Sequence, residues 1–169
     1  MSLERASLQN RLHVAVALLC AWLFVTSPWV SMFRRMPAGA GWLDWAHVTL
    51  GFATLAIVLL YARACIRHGA WRSYFPWLAG AGRAAARDVG GLLRGRLPSA
   101  EPGGLFAAIE GLLLVALLIG GVTGVAWFVL QGSEAAVAWR GVHVVAVRAL
   151  LGLTVAHVLA VASHLFELA

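Results

Sequence analysis

The stretch RGVHVVAVRALLGLTVAHVLAVASH, residues 140–164, combines a run of apolar residues with three histidines, His143, His157 and His164, at intervals of 14 and 7. The apolar run, 141–166, exceeds the roughly 20 residues that carry a helix across a bilayer core. Three more runs of that kind lie upstream, at about 12–33, 45–66 and 105–130. The chain of 169 residues is 62% hydrophobic and 12% charged, and its mean hydropathy of +0.84 lies outside the range of soluble domains. The fold class expected is therefore an all-α membrane protein, a four-transmembrane-helix up-and-down bundle forming one integral membrane domain over 1–169.

Arginine alone sets the orientation, because the chain contains no lysine. With the N-terminus inside, Arg5, Arg11, Arg63, Arg67, Arg72, Arg83, Arg87, Arg94 and Arg96 flank the inner side, against Arg34, Arg35 and Arg140 outside. That asymmetry satisfies the positive-inside rule and predicts cytoplasmic termini in a bacterial inner membrane. The first run follows Arg5 and Arg11 like a signal peptide, but its length and the absence of a small-residue cleavage site make it a retained span. The net charge of +6 is accounted for by topology, so nothing supports a nucleic-acid partner.

Short connections at about 34–42 and 131–140 make helix neighbours antiparallel. The inner connection, 67–104, is longer, and its GRAAARDVGGLLRGRLPSAEPGG interleaves arginines with leucines before a Pro/Gly stop. It reads as an interfacial segment on the inner leaflet or as a docking surface. Cys20 and Cys65 read as packing residues, since no CxxC or CxxCH motif is present. Asp44 is expected to cap the second span, Pro28 to kink the first, and Gly120, Gly121 and Gly124 to mark close helix packing.

Polar groups within a membrane are costly and mark function. His13 opens the first span at the inner side and His47 begins the second at the outer side. His143 lies at the outer level of the fourth span, with His157 about 21 Å further in at 1.5 Å per residue. Depth thus pairs His47 with His143 and His13 with His157. Fourteen residues leave His143 and His157 about 40° apart in azimuth, which supercoiling largely removes. Two imidazoles from different helices at matched depth suit the axial positions of a haem iron, whereas zinc favours four ligands. Small residues beside them, Gly51 and Thr54 after His47, Ala17 and Cys20 after His13, and Gly152 between the histidines of span four, leave room for a macrocycle or serve ordinary helix packing.

The set SLQNRLH before the first span, WLDWAH opening the second and H-x13-H-x6-H in the fourth resembles the di-haem membrane cytochromes b of the bacterial cytochrome b561 and Ni,Fe-hydrogenase or formate dehydrogenase cytochrome b superfamily. The resemblance covers about 7–68 and 105–166. It implies two b haems, with His13 and His157 as ligands of the inner iron and His47 and His143 of the outer one. It implies electron transfer, since a bis-histidine iron has no open position. The long inner connection, with YARACIRHGAWRSYFPWL, looks more like the cytochrome subunits of multi-subunit dehydrogenases than like free-standing members.

The resemblance further implies membrane quinone as one electron partner and a periplasmic redox protein or dehydrogenase subunit as the other. His164 and Glu110, near the inner end, are the residues expected at a quinone site; Arg11 and His68 share that side. Arg34, Arg35 and Arg140 are candidate partners for haem propionates. Arg148, about 140° around the helix from His143, snorkels, pairs with a partner helix in a homo-oligomer or subunit complex, or reaches a propionate. Two other functions remain open on the sequence: a self-contained oxidoreductase passing electrons from a small molecule such as superoxide to quinone, and a haem-free transporter or metal-binding membrane protein.

Overall fold

A computed structural model of the chain describes the backbone of residues 2–67, 69, 71–78, 80, 82–96, 98 and 103–167, and the side chains among these from 8 to 162. Regular structure among the described residues is helical throughout: α1 (Ser2–Thr26), a 3-10 turn (Ser27–Trp29), α2 (Trp42–Arg67), α3 (Trp71–Tyr74), α4 (Arg83–Leu92), α5 (Leu105–Val129) and α6 (Glu134–Glu167). Leu8–Trp29, Trp42–Arg67, Leu105–Val129 and Glu134–Ala162 are long and apolar enough to cross a membrane. The protein is an all-α, multi-pass membrane protein. Its spans carry large apolar side chains on their exteriors, such as Leu18, Val25, Leu60 and Val145, as helices solvated by lipid do.

Two helix ends differ from the expected ones. The α-helical part of α1 stops at Thr26, because Pro28 has no amide to continue the ladder and sits in the 3-10 turn that follows. The first span, Leu8–Trp29, therefore changes from α-helix to 3-10 turn where Pro28 was expected to kink it. At the other end of the chain, α6 begins at Glu134, so residues 134–140 are helix and only 130–133 remain as a turn. Ser133 caps it: its hydroxyl accepts the Ala136 amide at 3.3 Å, with Glu134 in the first turn. Gly132, at φ +87, takes the left-handed conformation that this turn requires.

The chain divides into two compact units, Met1–Ala64 with Ala116–Arg148, and Cys65–Val115 with Ala149–Ala169. In the first, the buried positions Ala116, Gly120, Thr123 and Trp127 recur at 4, 3 and 4 residues, one face of α5. Thr54 and Val58 of α2 are buried likewise. Gly121 lets α2 close on α5: a Cβ there would stand 2.6 Å from Leu55 Cδ1. Packing is thus the role of Gly121, as its sequence setting predicts.

Loop 30–41 is laced to the start of α2 and to the 130–133 turn. Asp44 is buried and accepts the Ser31 amide at 2.8 Å and the Gly41 amide at 3.0 Å. It caps α2 from the third helical position, bonding back to the residue before the helix. Trp127 Nε1 donates to the Phe33 carbonyl at 2.7 Å and the Met36 amide to Gln131 Oε1 at 2.8 Å. Arg34 donates to the Gly132 carbonyl at 2.8 Å, receives the Gly132 amide on its own carbonyl, and pairs with Glu134 at 3.0 Å. Arg140 Nε donates to the Met32 carbonyl at 2.9 Å, with its guanidinium over the Phe33 ring.

In the second unit, buried Asp88 of α4 accepts the amide of Leu105, the first residue of α5, at 2.8 Å. A charge there satisfies an orphan helix amide and the positive end of the helix dipole. Gly111 of α5 lies against the Tyr74 carbonyl, so close that a Cβ would collide with backbone. Exposed Arg83, Arg87, Arg94 and Arg96 are interspersed with exposed Val89, Leu92 and Leu93.

Candidate functional site

His47 stands on α2, in the second turn beyond the Asp44 cap, and His143 on α6, three residues after Arg140. The structure brings these two together. Their ring centroids lie 6.5 Å apart and the planes meet at 79°. His143 Nδ1 is 2.9 Å from the Gly120 carbonyl and 3.3 Å from Thr123 Oγ1. A carbonyl only accepts, so Nδ1 carries the proton and Nε2 holds the free lone pair. The Thr123 hydroxyl is committed to the Ile119 carbonyl at 2.7 Å, with that of Gly120 at 3.0 Å.

α5 makes room for this ring. A Cβ on Gly124 would approach His143 Cε1 to 3.4 Å, so larger side chains there would press on the imidazole. The sequence marks Gly120 and Gly124 for helix packing; the structure adds that one supplies the carbonyl that fixes the imidazole and the other the clearance. Around His47 the observation is different. Its Nδ1 is buried and, among the described residues, has no hydrogen-bond partner, a state that costs about 1–3 kcal/mol if left so. One turn along α2, a Cβ on Gly51 would meet nothing within 4 Å.

These features fit a haem. Two imidazoles from different helices, with ring centroids 6.5 Å apart, are near enough to share one metal ion through their nitrogens. No three of His, Cys, Asp and Glu gather among the described residues; two imidazoles are all that a macrocycle supplying the other four donors asks of a protein.

The family description "Prokaryotic cytochrome b561" matches residues 6–168. The chain belongs to that family. No curated protein and no solved structure matches the chain. Membership in the cytochrome b561 family carries haem b binding and electron transfer across a membrane.

The remaining sequence-predicted residues of this cytochrome lie on several elements. His13 lies on α1 with its side chain exposed, and His157 lies half-buried on α6; they belong to different compact units. Glu110 is half-buried on α5. The His164 side chain lies outside the described residues, as do His68 and the Arg5 side chain. Arg35 is exposed in loop 30–41. Arg34 is engaged by Glu134 and Gly132, whereas Arg140, among the described residues, pairs with no carboxylate.

Proposed function

We propose that the protein holds two b haems and passes electrons through them between a periplasmic redox partner, free or a dehydrogenase subunit, and the quinone pool of a bacterial inner membrane. The observation that carries this reading is the His47–His143 pair, with its 6.5 Å separation and the His143 proton directed at the Gly120 carbonyl. These two imidazoles would hold one haem. Bound there, haem b would supply a one-electron iron couple.

The Gly120 carbonyl holds His143 in one tautomer and adds electron density to its ring, as outer partners of ligating histidines do. Arg140 and Arg35 provide positive charge for propionates, and Arg34 instead fastens the loop through Glu134 and Gly132. His13 and His157 would ligate the second haem, a reading that rests on the depths implied by their positions in the sequence. The quinone site is assigned to the long-connection end, where Glu110 and His164 are the groups able to move a proton.

The test is a reduced-minus-oxidised spectrum with a pyridine haemochrome assay on the purified protein. About two haems per chain are expected, falling to about one in His47→Ala or His143→Ala and likewise in His13→Ala or His157→Ala. A colourless protein, after expression with adequate haem, overturns the proposal. His164→Ala is expected to slow quinone reduction with both haem spectra intact; loss of a haem in that variant would remove His164 from the quinone site.

A further inference from the structure

The arginines of the 67–104 connection serve neither the His47–His143 site nor the lacing of loop 30–41. Arg83 and Arg87 stand one turn apart on α4, and Gly90, three residues further, shares their face. Arg94 folds back over that glycine: a Cβ on Gly90 would stand 3.4 Å from Arg94 Nη2. The reversal is made by the Arg94 amide, bonded to the Gly91 carbonyl at 2.9 Å, and by Gly95 at φ +72. Three arginines thereby share one side of a ten-residue helix. All three are exposed, and none makes an ion pair among the described residues.

The acids of the connection are too few to neutralise them. Residues 68–104 hold five arginines and two acids, Asp88 and Glu101. Asp88 is buried and committed to the Leu105 amide. Glu101, whose side chain lies outside the described residues, offsets one arginine at most.

The opposite side of α4 is apolar and uncovered. At about 100° per residue, Leu92 and Val89 lie about 180° and 240° around the helix from Arg83. Both are exposed, and Leu93, next in the chain, is 86% exposed. Exposed Trp77 and Leu78 precede the helix, with Trp77 Cα 4.0 Å from where a Cβ on Gly82 would stand. The Asp88 bond says what lies against this surface. It ties α4 to Leu105, where both α5 and its apolar run begin. A helix fastened where another enters the bilayer lies at the membrane boundary, where tryptophan and leucine meet acyl chains and arginine meets headgroups.

We infer that the Arg83, Arg87 and Arg94 face of α4 binds the headgroups of anionic phospholipids in the leaflet on the side of the 67–104 connection, with Val89, Leu92 and Leu93 set among their acyl chains. This inference is independent of the haem ligands, and its test does not read them.

The experiment places the full-length protein in nanodiscs of phosphatidylcholine, alone or with about one third phosphatidylglycerol. Trypsin cleavage after Arg94 and Arg96 is followed by mass spectrometry and normalised to a soluble arginine substrate in the same sample. Cleavage is expected to be about tenfold slower in the anionic discs. Arg83→Gln combined with Arg87→Gln leaves both cleavage points intact and should remove most of that difference. Leu93→Asp should do the same, each variant keeping its helical circular dichroism. Equal cleavage in the two discs overturns the inference and leaves the arginines to an acidic protein surface. So does a difference that the double variant retains, which assigns the protection to another segment. Inorganic phosphate that slows cleavage in phosphatidylcholine discs as much as phosphatidylglycerol does overturns it too, giving the site to a free anion.

Discussion

A histidine whose Nδ1 proton is directed at the backbone of another helix has one tautomer and a restricted ring, and His143 is in that condition through Gly120. Widening α5 at Gly124 should disturb it: Gly124→Leu is expected to lower haem content at the His47–His143 site, whereas Gly124→Ala, with its Cβ at 3.4 Å, leaves it nearly intact. Haemochrome titration of the two variants separates them. Asp44 makes a second residue-scale prediction. Replacing it with alanine strands the Ser31 and Gly41 amides and should cost about 1–3 kcal/mol, read as a lower melting temperature in detergent. The histidines were legible because imidazole in an apolar run stands out and its spacing sets depth. The Gly120 carbonyl was not, because every residue has a carbonyl and only packing decides which one meets a ring.

Helix ends followed local chemistry where that chemistry was read. Ser133 followed by Glu134 is an N-terminal signature, and reading it would have started α6 seven residues earlier than its apolar run begins. Hydropathy gives where a span enters the membrane, and a helix can start well outside it. Ser133→Ala is expected to destabilise by about 1 kcal/mol, with loss confined to the first turn of α6 by amide exchange. The Gly111 contact with Tyr74 makes a stronger element-scale prediction. A Cβ at Gly111 meets backbone, which cannot swing aside, so Gly111→Val should displace α3 from α5 and cost about 1–3 kcal/mol or more. Limited proteolysis within 67–104 would detect the release as faster cleavage.

At the scale of the whole molecule, length and hydropathy were enough for four spans and an all-α class. They were silent on how loop 30–41 is held, because its partners are remote: Trp127, Gln131, Gly132 and Arg140 bond to residues 94 to 108 positions away. Pattern rules reach neighbours along a helix or a turn, and no such rule pairs Phe33 with Trp127. Trp127→Phe keeps the ring and removes the bond to the Phe33 carbonyl; a loss of about 1 kcal/mol is expected, measured by thermal unfolding in detergent.

The same separations set a timetable. A ribosome adds about 5–20 residues per second, N-terminal part first, so the first two helices leave it several seconds before Trp127 and Arg140 exist. Loop 30–41 must remain unfastened during that interval, and the α5–α6 hairpin, arriving last, is what locks the first hairpin in place. A chain truncated before α5 would therefore keep its first two spans and lose the closure of their loop.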